Sequence, residues 1–290
     1  MIHEVIAKTL LSSAKQPDPW FGIKYTMNLY RGCQHQCIYC DSRSACYQIE
    51  NFADVLVKVN AIDLLKKELP RKRVKGTVGT GSMSDPYLPL EATRRLTAQA
   101  LAVIAEQQFP LHALTKSDLV VRDLDTLHHI ARVYAAVSFT ITTADDELGK
   151  KVEPGAPLVS RRLAALSKLA EAGILTGVLM MPILPFIEDN PENITAIVTR
   201  AKECGASYIL AAFGMTLRDR QRAYYYAQLD RLFPGLRPQY EQRYGDRYSA
   251  GTRDAKHLGQ IFAEACARHG LATRMPFYEE PVQPHQAALF

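Results

Sequence analysis

The sequence predicts an α/β protein, a partial (β/α)6 TIM-like barrel with a C-terminal helical extension. Short apolar runs alternate with amphipathic runs six times between residues 24 and 215, the pattern of parallel strands joined by right-handed helical crossovers. The amphipathic runs stop at helix-ending residues, among them Pro70, Pro110, Gly173 and Gly205. At 290 residues and 47% apolar, the chain can bury a core of that size.

The elements follow in order. Residues 1–23 are a polar, proline-containing lead-in, and 24–29 read as the first strand. A helix over 59–69 ends at Pro70, and a buried strand covers 74–79. A helix over 93–107, closed by Pro110, leads to a strand over 111–114. Then come a helix over 123–133, a strand over 136–141, a helix over 159–172 and a strand over 174–181. A helix over 191–204 and a strand over 208–212 complete the core, residues 24–215. Residues 216–275 form the helical extension, with helices over 219–232 and 252–269 around an irregular segment, and 276–290 an extended tail. There is no internal repeat or low-complexity tract.

Composition narrows the class. Six cysteines in a chain this long make no disulfide framework, and Cys46, Cys204 and Cys266 show no pairing pattern. The net charge of +5 is compatible with a polyanionic partner without requiring one. No basic-plus-apolar leader opens the chain. The longest apolar stretch, 174–187, is broken by Pro182 and Pro185 and is too short to span a bilayer.

Cys33, Cys37 and Cys40 stand in a C-x3-C-x2-C run, Tyr-Arg-Gly-Cys-Gln-His-Gln-Cys-Ile-Tyr-Cys-Asp. Thiolates clustered this closely are metal ligands. A four-iron cluster takes four thiolates, so a loop supplying three leaves an open position, where a metal site does chemistry rather than structure. A zinc site is the plainer alternative, with His35 or Cys46 as fourth ligand. His35 lies too close between two cysteines to complete a tetrahedron comfortably, and Cys46 lacks a C-x2-C partner.

In a parallel barrel, chemistry gathers at the carboxyl ends of the strands. The second strand ends in Gly79-Thr-Gly-Ser-Met-Ser-Asp-Pro-Tyr87. Its two glycines permit close backbone approach to a ligand, and Ser82, Ser84 and Asp85 offer acceptors for an ammonium group. The third ends in Thr115-Lys116-Ser117, which places Lys116 to meet a carboxylate. The fourth carries Ser138 and Thr140.

The cysteine spacing, with Tyr39 before the last cysteine, resembles the signature of the radical S-adenosylmethionine (radical SAM) enzymes. The resemblance implies a [4Fe-4S] cluster on Cys33, Cys37 and Cys40 with S-adenosylmethionine chelated to the open iron. Reduction would split the sulfonium to a 5′-deoxyadenosyl radical that abstracts hydrogen from a substrate. Ser84-Asp85, Thr115-Lys116-Ser117, Ser138 and Glu153-Pro154, in that order, resemble the spore photoproduct lyase-like branch over residues 24–190. By that resemblance Ser84, Lys116 and Ser138 hold the amino and carboxylate groups of S-adenosylmethionine, and Tyr39 lies beside its adenine. The lyases carry a hydrogen-donating cysteine where this chain has Ser82, whose O–H bond is too strong to donate well to a carbon radical. The substrate therefore does not carry over with the family, and no catalytic residue is assigned.

Two regions invite a nucleic-acid reading. Residues 66–75 hold six basic side chains, by default a solvated rim. Residues 218–248 interleave Arg218, Arg220, Arg222, Arg231, Arg243 and Arg247 with Tyr224, Tyr225, Tyr226, Tyr240, Tyr244 and Tyr248. These form either a phosphate-and-stacking surface or a tyrosine seal over the open side of the barrel. The final residues, Gln286-Ala-Ala-Leu289-Phe290, resemble the peptides by which bacterial repair and replication proteins dock on the sliding clamp.

The expectation is a cytoplasmic radical SAM enzyme, reduced by a flavodoxin- or ferredoxin-type donor, acting on DNA through lesion repair or base modification. Radical modification of RNA, a peptide or a small metabolite is the second enzymatic reading. A non-catalytic iron–sulfur or zinc module that binds nucleic acid is the opposing class.

Overall fold

In the computed structural model, which describes residues 1–280, the chain opens with β1 (Ile2–Val5) and β2 (Leu11–Ser13). Both fall in the lead-in, and both are short and mostly exposed, so no buried apolar run announces them. β3 (Ile23–Met27) begins the parallel sheet, and β4 (Tyr30–Arg31) delivers the cysteine loop. Beyond the loop, β5 (Val55–Lys58) pairs with β1 and β4 in a small separate sheet. Then α1 (Ala61–Glu68), β6 (Thr77–Thr80), α2 (Glu91–Arg94), α3 (Leu96–Glu106) and β7 (Leu111–Thr115) follow. The alternation continues through α4 (Leu124–Ala131), β8 (Ala135–Thr140), α5 (Asp146–Val152), α6 (Val159–Glu171) and β9 (Leu175–Met180). It closes with α7 (Pro191–Glu203) and β10 (Tyr208–Ala211). The extension holds β11 (Gly214–Thr216), α8 (Asp219–Leu232), α9 (Leu236–Tyr244), β12 (Ser249–Gly251) and α10 (Ala255–His269).

The main sheet runs β10-β9-β8-β7-β6-β3-β2. Its six strands from β3 to β10 are parallel, and β2 lies antiparallel on the β3 edge. The order never returns on itself, so the barrel is partial and the sheet open. The expected helix over 93–107 is two helices, broken at Arg95, which adopts φ +51°. The break lets the buried Glu91 carboxylate turn to accept from the Thr97 amide at 2.7 Å and from the Tyr30 hydroxyl. At α7 the sequence signal is local: Asn190 caps the helix by accepting from Asn193 N at 2.9 Å, with Pro191 at the first helical position.

Strand alternation divides the core. On β8, Ala135, Val137 and Phe139 enter the large cluster beneath the helices, whereas Ala136 enters a smaller inner one with Leu179, Tyr208 and Leu210. A third cluster joins the extension to the cysteine loop: Tyr225, Tyr226, Leu229, Tyr240 and Tyr244 pack with Cys37, Ile38, Tyr39 and Leu184. The tyrosine-rich stretch is thus largely a seal. Tyr225 and Tyr240 share a hydroxyl hydrogen bond at 2.9 Å, and Tyr240 donates to the Pro185 carbonyl at 2.5 Å. Arg222 is occupied by the carbonyls of Leu217 and Arg247 and by Asp246. Residues 66–75 precede β6, at the amino end of the sheet and remote from its carboxyl ends. The clamp-like residues Gln286, Leu289 and Phe290 lie outside the described residues.

Candidate active site at the cysteine loop

The loop over 32–41 is anchored in part by the end of α5 and the residues after it. Ile38 N donates to the Val152 carbonyl and Gly155 N to the His35 carbonyl, both at 2.9 Å, and His35 Nδ1 lies 3.1 Å from the Gly155 carbonyl. A Cβ on residue 155 would fall 2.1 Å from the Gln34 carbonyl oxygen, so glycine alone permits this approach. With the loop so fixed, Cys33, Cys37 and Cys40 line one cavity of ≈ 680 Å³, together with Ser82, Ser84, Asp85 and Lys116.

Asp85 organises the strand ends. Its oxygens accept from Tyr87 N at 2.8 Å and from Thr115 Oγ1 and Lys116 N at 2.7 Å, and His35 Nε2 stands 3.1 Å away. Burial opposes the carboxylate, but His35 and these donors outweigh it and hold the acid at about 2. Asp85 therefore braces the site, with little capacity left for a ligand's ammonium. Ser84 donates its hydroxyl to the Gly32 carbonyl at 2.5 Å, which leaves its oxygen lone pairs as acceptors. Ser82 is exposed at the cavity wall. Gly81, at φ +100°, turns the chain where a Cβ would meet the Leu114 carbonyl oxygen at 2.0 Å.

A buried quartet lies beneath. Glu153 accepts from the Tyr39 hydroxyl and pairs with the fully buried Arg162, and Lys116 Nζ stands 3.9 Å from the same carboxylate. Burial pushes Glu153 upward, yet Arg162, Lys116 and Tyr39 together bring it below the ordinary range. The Lys116 ammonium also lies 5.8 Å from the Tyr39 ring centroid. Tyr39 is thereby oriented by Glu153, a link that a sequence shows only as a distant Glu-Pro pair.

Ser138 is placed elsewhere. It is fully buried one level below the cavity, bonded to His112 Nε2 at 2.8 Å and to the Tyr208 hydroxyl at 2.7 Å. Thr140, two residues on and on the same face, lines the cavity instead. Sequence reasoning also missed the opposite wall, Phe213–Thr216 of the β11 side and Ser249–Gly251 of β12. Their small residues carry no motif, and pairing across a 32-residue connection, residues 217–248, brings them together.

The donor set fits an iron–sulfur cluster. Burial, with the neighbouring Asp85, pushes the Cys33 thiol up to about 12, and burial likewise raises Cys37 and Cys40. A metal that displaces these protons would relieve that cost. Neither fourth ligand considered for zinc faces the thiols: His35 is turned to Gly155 and Asp85. Cys46 Sγ, which does not line the cavity, lies 3.1 Å from Arg218 Nη1 and 3.0 Å from Ser44 Oγ.

The chain belongs to the radical SAM superfamily, whose sequence pattern matches residues 27–198. It is 30% identical to the uncharacterized protein Rv2578c of Mycobacterium tuberculosis (strain ATCC 25618 / H37Rv) over 301 residues, covering 99% of this chain and 88% of that one. A radical SAM Nalpha-GlyT isomerase of Pseudomonas phage M6 is 23% identical over 181 residues, covering 62% of this chain and 37% of that one. The fold is similar to that of spore photoproduct lyase solved with bound AdoMet and dinucleoside spore photoproduct. The TM-score is 0.65 at 20% identity, covering 92% of this chain and 79% of that one. Among the described residues, no helix is long and apolar enough to cross a membrane.

Proposed function

We propose that the protein cleaves S-adenosylmethionine reductively at a [4Fe-4S] cluster held by Cys33, Cys37 and Cys40, and directs the radical to a hydrogen atom of DNA. The observation that carries the chemistry is the convergence of three cysteines, two of them buried, with Ser84 and Lys116 on one cavity. When bound, the cluster supplies one electron that splits the sulfonium into methionine and a 5′-deoxyadenosyl radical. The chain's own residues position the reactants. Lys116, beside Glu153, would hold the methionyl carboxylate; Ser84 and Ser82 would accept from its ammonium; Tyr39 would lie beside the adenine; and the roof over 213–216 and 249–251 would exclude water. Ser138 supports this arrangement from below through His112 and Tyr208 rather than by contact.

DNA as substrate is supported by the fold likeness to spore photoproduct lyase and by exposed Tyr248 with Arg218 stacked 4.8 Å from its ring centroid, beside the cavity-lining Asp41. The burial of most tyrosines between 218 and 248 removes the larger stacking surface and favours the second reading, a smaller substrate such as a peptide or metabolite. A flavodoxin- or ferredoxin-type protein in a reducing cytoplasm completes the scheme as electron donor.

Anaerobically reconstituted protein should bind about four irons and release 5′-deoxyadenosine on reduction. Deuterium transfer from labelled oligonucleotides into 5′-deoxyadenosine would establish DNA as the hydrogen source. Transfer from labelled peptides or metabolites alone would establish the second reading.

A further inference from the structure

Arg43 lies three residues beyond Cys40, and its guanidinium is held between two rings, 4.3 Å from the Phe52 centroid and 3.6 Å from that of Tyr224. Nη2 donates to Gln36 Oε1 at 2.8 Å, and Nε lies 3.5 Å from the Cys37 carbonyl. Both oxygen partners are neutral and belong to the cysteine loop. Lys116 and Arg162, the cations on the Glu153 side of the loop, both have that carboxylate beside them. Arg43 has no carboxylate within ion-pair distance among the described residues, and it is tied to the backbone of two of the three cysteines: its backbone N donates to the Cys40 carbonyl at 3.2 Å, and its Nε lies beside the Cys37 carbonyl. A half-buried cation without a counter-ion is costly, and the anion able to balance it here is a thiolate-bound cluster.

We propose that Arg43 is the fixed counter-charge of the cluster and raises its reduction potential; this rests on the cluster assignment above. One electron from the flavodoxin- or ferredoxin-type donor adds one negative charge, with no proton taken up and no covalent bond made or broken. A positive charge fixed nearby, in a medium less polarisable than water, stabilises the reduced state over the oxidised one. The stacking by Phe52 and Tyr224 keeps that charge from swinging into solvent. Since Tyr224 lies on α8, the extension takes part in setting the potential of a loop near the other end of the chain.

The test is an anaerobic potentiometric titration of the reconstituted protein, followed by electron paramagnetic resonance, with iron content measured alongside. Arg43→Met should move the midpoint to more negative potential at unchanged iron content. Arg43→Lys, which keeps the charge and loses the fork, should remain close to wild type. Tyr224→Leu removes one of the two rings that hold the guanidinium without adding a charge and should shift the midpoint in the same direction as Arg43→Met, so it decides the matter if Arg43→Met fails to take up iron. Full iron content with an unchanged midpoint in Arg43→Met, or equal shifts for Met and Lys, would show that Arg43 only braces the loop. Wild-type protein that takes up no iron overturns the cluster assignment and this inference with it.

Discussion

On the side of the cavity formed by the strand ends, the polar groups are already engaged. Asp85 accepts from three donors with His35 beside it, Ser84 is bonded to Gly32, and Glu153 is enclosed by Tyr39, Lys116 and Arg162. Across the cavity, the β11–β12 ribbon presents Gly214, Met215, Thr216, Ser249, Ala250 and Gly251. Few side chains tie it to the loop: Thr216 Oγ1 donates to Asp41 at 2.6 Å, and Gln221 Nε2, beyond the ribbon, to the Tyr39 carbonyl at 2.8 Å. Fixed charges in a low-dielectric wall suit an invariant, charged ligand. A wall of small residues and paired backbone offers shape, and can change without disturbing the opposite side. The cofactor and the substrate would thus be recognised by different physics.

The largest effect expected on the charged side follows from replacing Cys33, Cys37 or Cys40 by Ala: iron uptake and S-adenosylmethionine cleavage should both be lost. Full cleavage by Cys37→Ala, or bound zinc without iron after anaerobic, iron-replete preparation, would break the assignment. Glu153→Gln comes next. It leaves Arg162 buried without its partner, both side chains being 1% exposed, and should cost about 3–5 kcal/mol in denaturant unfolding of the metal-free protein. Ser249→Ala on the roof should change stability by less than about 0.5 kcal/mol. Equal losses at the two positions would erase the distinction between the walls.

Acid sharpens the same contrast. Asp85 titrates at about 2 when folded and near 3.9 when unfolded. Its folded-state pKa is depressed, so its contribution, roughly 2–3 kcal/mol, is present above pH ~4 and lost as pH falls toward 2. Urea midpoints of metal-free protein should fall over that interval in wild type and less in Asp85→Asn. A limb of equal depth in both would remove Asp85 from the account.

A smaller effect concerns hydrogen return. Cys33, Cys37 and Cys40 are the thiols that line the cavity, so spore photoproduct should not be repaired efficiently; efficient repair that persists in Cys46→Ala would contradict the argument from Ser82. Deleting Leu289 and Phe290 should change least: if residues 286–290 are a clamp peptide, sliding-clamp binding is lost while S-adenosylmethionine cleavage stays as it was. A global loss of stability on deletion would make the clamp resemblance a coincidence.

The convergence of Cys33, Cys37 and Cys40 with Ser84 and Lys116 on one cavity was legible because close spacing within one loop is a local property and a parallel strand points its carboxyl end at the site. Ser138 shows where that reading fails. Alternation places it on the inner face, but depth along the barrel depends on the register between β7 and β8, where Leu114 pairs with Ser138 and His112 with Ala136. Glu153 was visible as part of a motif, without its role.

The sequence by itself determined the six βα units, the family and the loop that gathers the three cysteines, since periodicity and short-range spacing are written along the chain. Tertiary structure decided which polar groups brace and which are free, that most of the tyrosines seal rather than stack, and that Arg43 is seated between Phe52 and Tyr224 with no carboxylate partner among the described residues. Those outcomes depend on residues far apart in sequence meeting in a medium that screens charge weakly, and neither the meeting nor the screening can be read from one segment.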